Sequence, residues 1–353
     1  MGDNPRMPSS SDAFRVGVVG CGAFGRNHAR VYRELQADPA QNVQLAGVAD
    51  LDYDRAQAVA REFGTQAFHS LDELIAGGVQ AASVAVPTVS HLEVARRLME
   101  GGVDVLIEKP LATTVAEADE LIALAQRHGR IAQAGHLERF NPAVRATVPL
   151  LTQPMFFEVH RLSVFTPRSL DVDVILDLMI HDLDIVLSFV TSPVKEIRAV
   201  GLPILSPKID IANVRMEFES GCVANFTASR VSTERIRKLR FFQPHQYVSL
   251  DYSRQDVLVL TVSEPNPDVA LDPFNPASVA ASAFPGITPF KPKVEQQEPL
   301  RAELSSFLRA VRQRSTPEVT LQDGRRALAV AMQIVDATAE HSRRAKLMEL
   351  TRE

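Results

Sequence analysis

Residues 15–25 read Arg15-Val16-Gly17-Val18-Val19-Gly20-Cys21-Gly22-Ala23-Phe24-Gly25, and this stretch decides the fold. Residues 15–19 read as a short apolar strand, with β-branched Val16, Val18 and Val19. Gly20, Gly22 and Gly25 then follow the G-x-G-x-x-G spacing, and residues 25–35 carry a helical pattern. In that order of strand, turn and helix, one glycine makes the tight turn, the next lets backbone approach a pyrophosphate, and the third lets helix pack on strand. Gly20, Gly22, Ala23, Phe24 and Gly25 are therefore expected to bind a dinucleotide at the N–H groups and positive dipole end of the helix. A second strand over 44–49 runs into Asp50. A carboxylate there accepts from ribose hydroxyls and repels a 2′-phosphate, and the next residue is Leu51 rather than an arginine, so NAD is expected over NADP. Cys21 reads as a small residue that fits the turn.

Working outward, strands and helices alternate. A helix over 54–63 ends at Gly64, Ser70 and Glu73 form a capping box, and strands follow at 81–86, 103–107 and 131–134. Between them lie a helix through Leu92, Ala95, Leu98 and Met99 and another opened by Thr114. This pattern predicts an α/β fold, a doubly wound parallel sheet of Rossmann type over 13–135 after a loose leader of 1–12. From 136 to 353 the pattern changes. One amphipathic helix over 174–190 is expected. Strands at 155–164, 194–203, 210–218, 221–230, 236–242, 246–252 and 255–262 predict an α+β domain with an open, largely antiparallel sheet. Residues 264–299 hold eight of the 22 prolines and read as an irregular excursion. A last helix over 325–341 is expected, with the option of packing back on the first domain.

The chain has 353 residues, enough for two cores. Its net charge of -5 gives no reason to expect nucleic acid or a membrane surface as partner. No apolar run reaches the ~20 residues of a membrane helix. Two cysteines suit a reducing cytosol better than a disulfide framework, so a cytoplasmic location is expected.

Other residues point to chemistry. Pro87-Thr88, with His91 three residues on, and Glu108-Lys109-Pro110 stand at the carboxyl ends of strands, where such sheets bind ligands. Thr88 and His91 could reach pyrophosphate or nicotinamide ribose, although His91 reads equally as an ordinary helix N-terminal residue. Lys109 could bind a substrate hydroxyl and ribose and stabilise a developing alkoxide; alone it reads as a solvated lysine. Asp177, His181 and Asp184 share one helix face by spacing, with Leu176, Met179, Ile180, Leu183 and Leu187 on the other. A histidine suits the base that hydride transfer from an alcohol needs, and a carboxylate one turn away can orient it. The same row reads equally as three solvated residues. A metal site is the weaker option, since no ligand spacing occurs elsewhere, and none is expected.

Taken together, the Gly20–Gly25 turn, Pro87-Thr88 with His91, Glu108-Lys109-Pro110, and Asp177 with His181 resemble the glucose-fructose oxidoreductase / inositol dehydrogenase / MocA-like family. The resemblance implies a Rossmann domain and an open-faced α/β domain. It also implies a catalytic set of Lys109, Asp177 and His181, with His181 as acid/base, and cofactor contacts from Pro87, Thr88, His91, Glu108 and Lys109. Where that family usually carries a glycine two residues before the histidine, this chain has Met179. The family often forms dimers or tetramers through the open sheet. Residues 135–142 (Gly135-His136-Leu137-Glu138-Arg139-Phe140-Asn141-Pro142), 177–184 and 235–239 look like the branch that oxidises the 3-hydroxyl of UDP-N-acetylglucosamine. In some bacteria the product of that branch feeds lipid A. A nucleotide-sugar substrate calls for cations near its diphosphate. Arg139, Arg161, Arg168 and Lys238 are the candidates, and Asn141, Lys109, Asp177 and His181 complete the expected substrate contacts. The alternatives are a dehydrogenase of a free polyol or sugar, and a non-catalytic NAD-binding regulator on the same fold.

Overall fold

The computed structural model describes residues 13–165, 172–262 and 286–345, in two compact units. The leader and Arg168 lie outside the described residues, as does most of the proline-rich segment.

The first unit is built on a parallel six-stranded sheet. Its strands are β1 (Phe14–Val19), β2 (Val43–Ala49), β3 (Gln66–Phe68), β4 (Ala81–Val84), β5 (Asp104–Glu108) and β6 (Ala132–Gly135). The order is β3-β2-β1-β4-β5-β6, the doubly wound arrangement the sequence predicts. Helices α1 (Ala23–Gln36), α2 (Tyr53–Phe63), α3 (Leu71–Ala76), α4 (His91–Glu100) and α5 (Val115–Arg127) connect the strands. Local chemistry fixes their ends. Ser70 Oγ and Thr114 Oγ1 accept from the N–H groups of Glu73 and Glu117, each at 3.1 Å, and Gly64 closes α2 at φ 62°.

The second unit opens with a 3₁₀ turn over Leu137–Phe140 and helix α6 (Pro142–Thr147), both unforeseen in the sequence. Its sheet has eight strands: β7 (Phe156–Val164), β8 (Val194–Leu202), β9 (Ile211–Phe218), β10 (Val223–Ser232), β11 (Ile236–Gln243), β12 (Gln246–Asp251), β13 (Asp256–Val262) and β14 (Ile287–Phe290). They run in the order β14-β13-β12-β11-β7-β10-β9-β8, and all pairs are antiparallel except β7 with β10. Phe157, Val159, Ala224, Phe226, Leu239 and Phe241 line its inner face and pack with helix α7 (Ile180–Phe189) in one core.

Two expectations are corrected. The helix expected over 174–190 is helical from 174 to 189, but it is neither regular throughout nor amphipathic. Residues Ile175–Met179 form a π-helical turn, and α7 follows with His181, Asp182 and Asp184 all buried. The proline-rich reading also hid a helix, α8 (Pro299–Gln313), which belongs to the first unit rather than to the C-terminal half. Leu300, Leu304, Phe307, Leu308 and Val311 join the core beneath α1 and β2, each burial worth about 1.5–3 kcal/mol. The last helix, α9 (Leu321–Arg344), groups with the second unit from Arg326 onward, where Ala327, Val330, Ala331 and Ile334 enter that unit's core.

Candidate active site

In the first unit the glycine turn has the shape a dinucleotide requires. Gly20 sits at φ 93°, and a Cβ there would lie 2.5 Å from the carbonyl oxygen of Ala85. A Cβ on Gly25 would overlap the Gly20 carbonyl oxygen at 1.7 Å, so helix and strand meet only through glycine. At Gly22 nothing lies within 4 Å of such a Cβ, and no side chain caps the helix that begins there. The first-turn N–H groups of α1, at Ala23, Phe24 and Gly25, therefore face an open cradle suited to phosphate.

Asp50 is oriented from three sides. Its Oδ2 accepts from the Cys21 N–H at 2.6 Å, its Oδ1 accepts from the Asp52 N–H at 2.9 Å, and Arg55 Nη1 lies 3.6 Å away. The lone pairs left over fit ribose hydroxyls. Burial, helped by Asp50, pushes the Cys21 thiol up to about 12, so it is an inert filler as the sequence implies. Pro87 is exposed and Thr88 half-buried, immediately past β4.

His91 and Glu108 are corrected. The His91 ring is buried, with Nε2 3.0 Å from the Val86 carbonyl and Nδ1 3.3 Å from the Leu111 carbonyl. Burial holds this imidazole below its ordinary value. Both ring nitrogens face backbone carbonyls, so the ring is packed within the fold, and a neutral ring donates to one of the two. Glu108 is likewise turned inward, with Oε1 2.8 Å from His28 Nε2 and Oε2 accepting from the Lys109 N–H at 3.3 Å. Lys109 itself is half-buried at a cis peptide bond to Pro110.

In the second unit, Asp177 stands in the π-helical turn and His181 in the first turn of α7, 8% exposed. Single π turns inside helices recur at functional sites because they re-aim side chains. Asp184 does not extend a row with them. It receives Arg139 through a fork, Nε to Oδ2 at 2.7 Å and Nη2 to Oδ1 at 3.2 Å. Arg161 is 2% exposed and clasps Asp182 through Nε at 2.6 Å and Nη2 at 2.9 Å, with Nη1 on Glu138 at 3.1 Å. Burial opposes its charge, and the two carboxylates more than offset that, so its pKa is raised. Asn141 caps α6 by accepting from the Ala143 N–H at 3.1 Å, and its amide donates to Glu138 and to the Tyr252 carbonyl, both at 3.0 Å. Arg161 and Asn141 are thus parts of a buried frame and not substrate contacts. Lys238 lies on the other face of its sheet, 4.0 Å from Asp251. Sequence reasoning missed Asp182, Glu138 and Arg237. No spacing rule links Asp182 to Arg161, and only the sheet places Arg237 opposite Arg161.

Among the described residues no helix is long and apolar enough to cross a membrane. The model of an oxidoreductase family with an NAD-binding Rossmann fold, GFO/IDH/MocA, matches residues 14–136, and that of the GFO/IDH/MocA C-terminal domain matches 153–242. The chain is 36% identical to UDP-N-acetylglucosamine 3-dehydrogenase of Acidithiobacillus ferrooxidans over 91% of its length and 96% of that protein's. A solved structure of that enzyme gives a TM-score of 0.82 over 92% of this chain and 96% of its own. Inositol 2-dehydrogenase 1 of Saccharopolyspora erythraea is 33% identical, over 49% of this chain and 53% of its own. A levoglucosan dehydrogenase in complex with NADH and levoglucosan shares the fold at 17% identity, with a TM-score of 0.78 over 93% of this chain and 98% of its own. The chain belongs to the GFO/IDH/MocA oxidoreductase family and is an NAD-dependent dehydrogenase acting on CH–OH groups.

Proposed function

We propose that this enzyme oxidises the 3-hydroxyl of UDP-N-acetylglucosamine, or of a closely related nucleotide sugar, to a ketone. The supporting observation is a likeness to a dehydrogenase of that substrate that runs nearly end to end, whereas the inositol dehydrogenase matches over only 49% of the chain. NAD, held at the glycine turn and Asp50, supplies the acceptor for the hydride. His181 takes the hydroxyl proton, Asp177 orients the imidazole and supports its charged form, and Lys109 stabilises the developing alkoxide. The remaining expectations are part of the same proposal: a homodimer or homotetramer through the open sheet, a cytoplasmic location, and a 3-keto product passed to an aminotransferase in lipid A or other envelope synthesis.

The test is direct. Purified protein given NAD and UDP-N-acetylglucosamine forms NADH, and given myo-inositol or free N-acetylglucosamine it does not. Turnover of inositol with none of the nucleotide sugar would move the substrate to the free polyols, and tight NAD binding with no turnover of any sugar would make the chain a regulator.

Asp50 gives a second expectation. Asp50→Ala removes a charged hydrogen bond to ribose and the repulsion of a 2′-phosphate, a change of about 1.5–3 kcal/mol. The ratio of kcat/KM for NADP to that for NAD rises about tenfold or more. An unaltered ratio would remove Asp50 from cofactor selection.

A further inference from the structure

Behind the phosphate turn runs a chain of polar side chains sealed from solvent. Tyr32 and His28 lie one turn apart on α1, and both reach Ser83 in β4. The Tyr32 hydroxyl is 3.0 Å from Ser83 Oγ, and His28 Nδ1 is 2.9 Å from it. His28 Nε2 meets Glu108 Oε1 at 2.8 Å, and Glu108 Oε2 accepts from the backbone N–H of Lys109 at 3.3 Å. Tyr32, His28 and Ser83 are fully buried, and Glu108 is 5% exposed. Room for the carboxyl comes from Gly135 on β6, where a Cβ would lie 3.0 Å from Glu108 Cα and 3.2 Å from its carboxyl carbon.

Burial raises the Tyr32 phenol, so it stays protonated and can donate to Ser83. With the imidazole proton on Nε2, Ser83 donates to Nδ1 of His28 and Nε2–H donates to Glu108. The carboxylate is thereby held on one oxygen by the helix that receives the cofactor phosphates, and its other oxygen holds the peptide of Lys109.

We infer that His28 and Glu108 are positioning residues, which set the backbone at Lys109 from the phosphate-binding helix. The inference rests on the reading that Lys109 acts in the reaction. Neither residue touches the reacting atoms. Each acts through the Lys109 peptide, where a displacement of about 1 Å can cost on the order of 10²-fold in rate.

Substitution at His28 separates positioning from packing. A glutamine places its amide nitrogen where Nε2 was and keeps the bond to Glu108, whereas an asparagine reaches only Ser83. His28→Gln is expected to keep kcat within about threefold of the parent. His28→Asn and His28→Ala lose about 10- to 100-fold, while NADH affinity measured by fluorescence moves by less than about threefold. Glu108→Gln, of unchanged shape, turns an amide nitrogen toward the Lys109 N–H and is expected to fall with the asparagine variant. A readout independent of turnover is the peptide-mapped rate of reductive methylation at Lys109 in the cofactor-free protein. It changes in His28→Asn and Glu108→Gln, and not in His28→Gln. Equal behaviour of the asparagine and glutamine variants in both measurements, or parental behaviour of Glu108→Gln, overturns the inference. Lys109→Ala run in parallel isolates the underlying reading. If that variant keeps full activity, Lys109 has no role in the reaction and the inference falls with it. If it is inactive while the His28 variants are alike, only the inference fails.

Discussion

His181→Ala is expected to lower kcat by about 10²–10⁴ with little change in NADH affinity. The size follows from what an imidazole contributes when it accepts a proton in the transition state, and the position supports the role. His181 lies at the start of α7 directly after a π-helical turn, buried to 8% exposure. Helix α7 is braced just after it, by Arg161 on Asp182 and by Arg139 on Asp184. A histidine buried on a braced helix is not a merely solvated residue. Steady-state rates with the nucleotide sugar and NAD check the assignment. A variant with parental kcat would take His181 out of the proton transfer.

Arg161→Met is expected to destabilise the second unit by about 3–5 kcal/mol, measured by urea unfolding. The guanidinium bridges two buried carboxylates, Asp182 and Glu138, and lies 5.1 Å from the centre of the Tyr252 ring. A methionine fills the volume but leaves those carboxylates without their main counterion. Arg237, opposite Arg161 in the sheet, limits the loss. Burial and then the repulsion of Arg161 hold its guanidinium below the ordinary value, and removing Arg161 lets it compensate part of the negative charge. The effect should therefore sit near the lower end of the range. The double variant Arg161→Met/Asp182→Leu should recover part of the loss, because an apolar pair replaces a broken ionic one. A single variant within about 1 kcal/mol of the parent would show that the ion pair is not a net support of the fold.

The Rossmann half was legible because its signals are local. The turn at Gly20–Gly25, the caps at Ser70 and Thr114 and the closing Gly64 each act within a few residues. Seven of the eight strands of the second unit are legible from alternation, which the inner face Phe157, Val159 and Arg161 follows even where the residue is charged, whereas β14 lies within the stretch that reads as irregular. What failed depends on distance or on competing signals. Helix α8 carries an apolar stripe at helical spacing, yet it begins at the last of eight prolines, whose loop signal outweighs the stripe. The polar residues around His181 looked like an open face because sequence shows that Asp182 and Asp184 are charged and not that arginines 21 and 45 positions away neutralise them. Glu108 and His91 stand next to the expected cofactor contacts in sequence, while their partners, His28 and the Val86 and Leu111 carbonyls, lie on other elements.

The parallel pairing of β7 with β10 carries a kinetic consequence. Phe157 lies beside Ala224 and Arg161 beside Ala228, so this central ladder forms only after the chain between them has been laid down. Hairpins such as β11–β12 and β12–β13 need no such delay. Long loops must close before the central ladder rewards them, so its nucleation is the slow event. In refolding followed by pulsed deuterium labelling, amides of β12 and β13 should gain protection before those of β7 and β10.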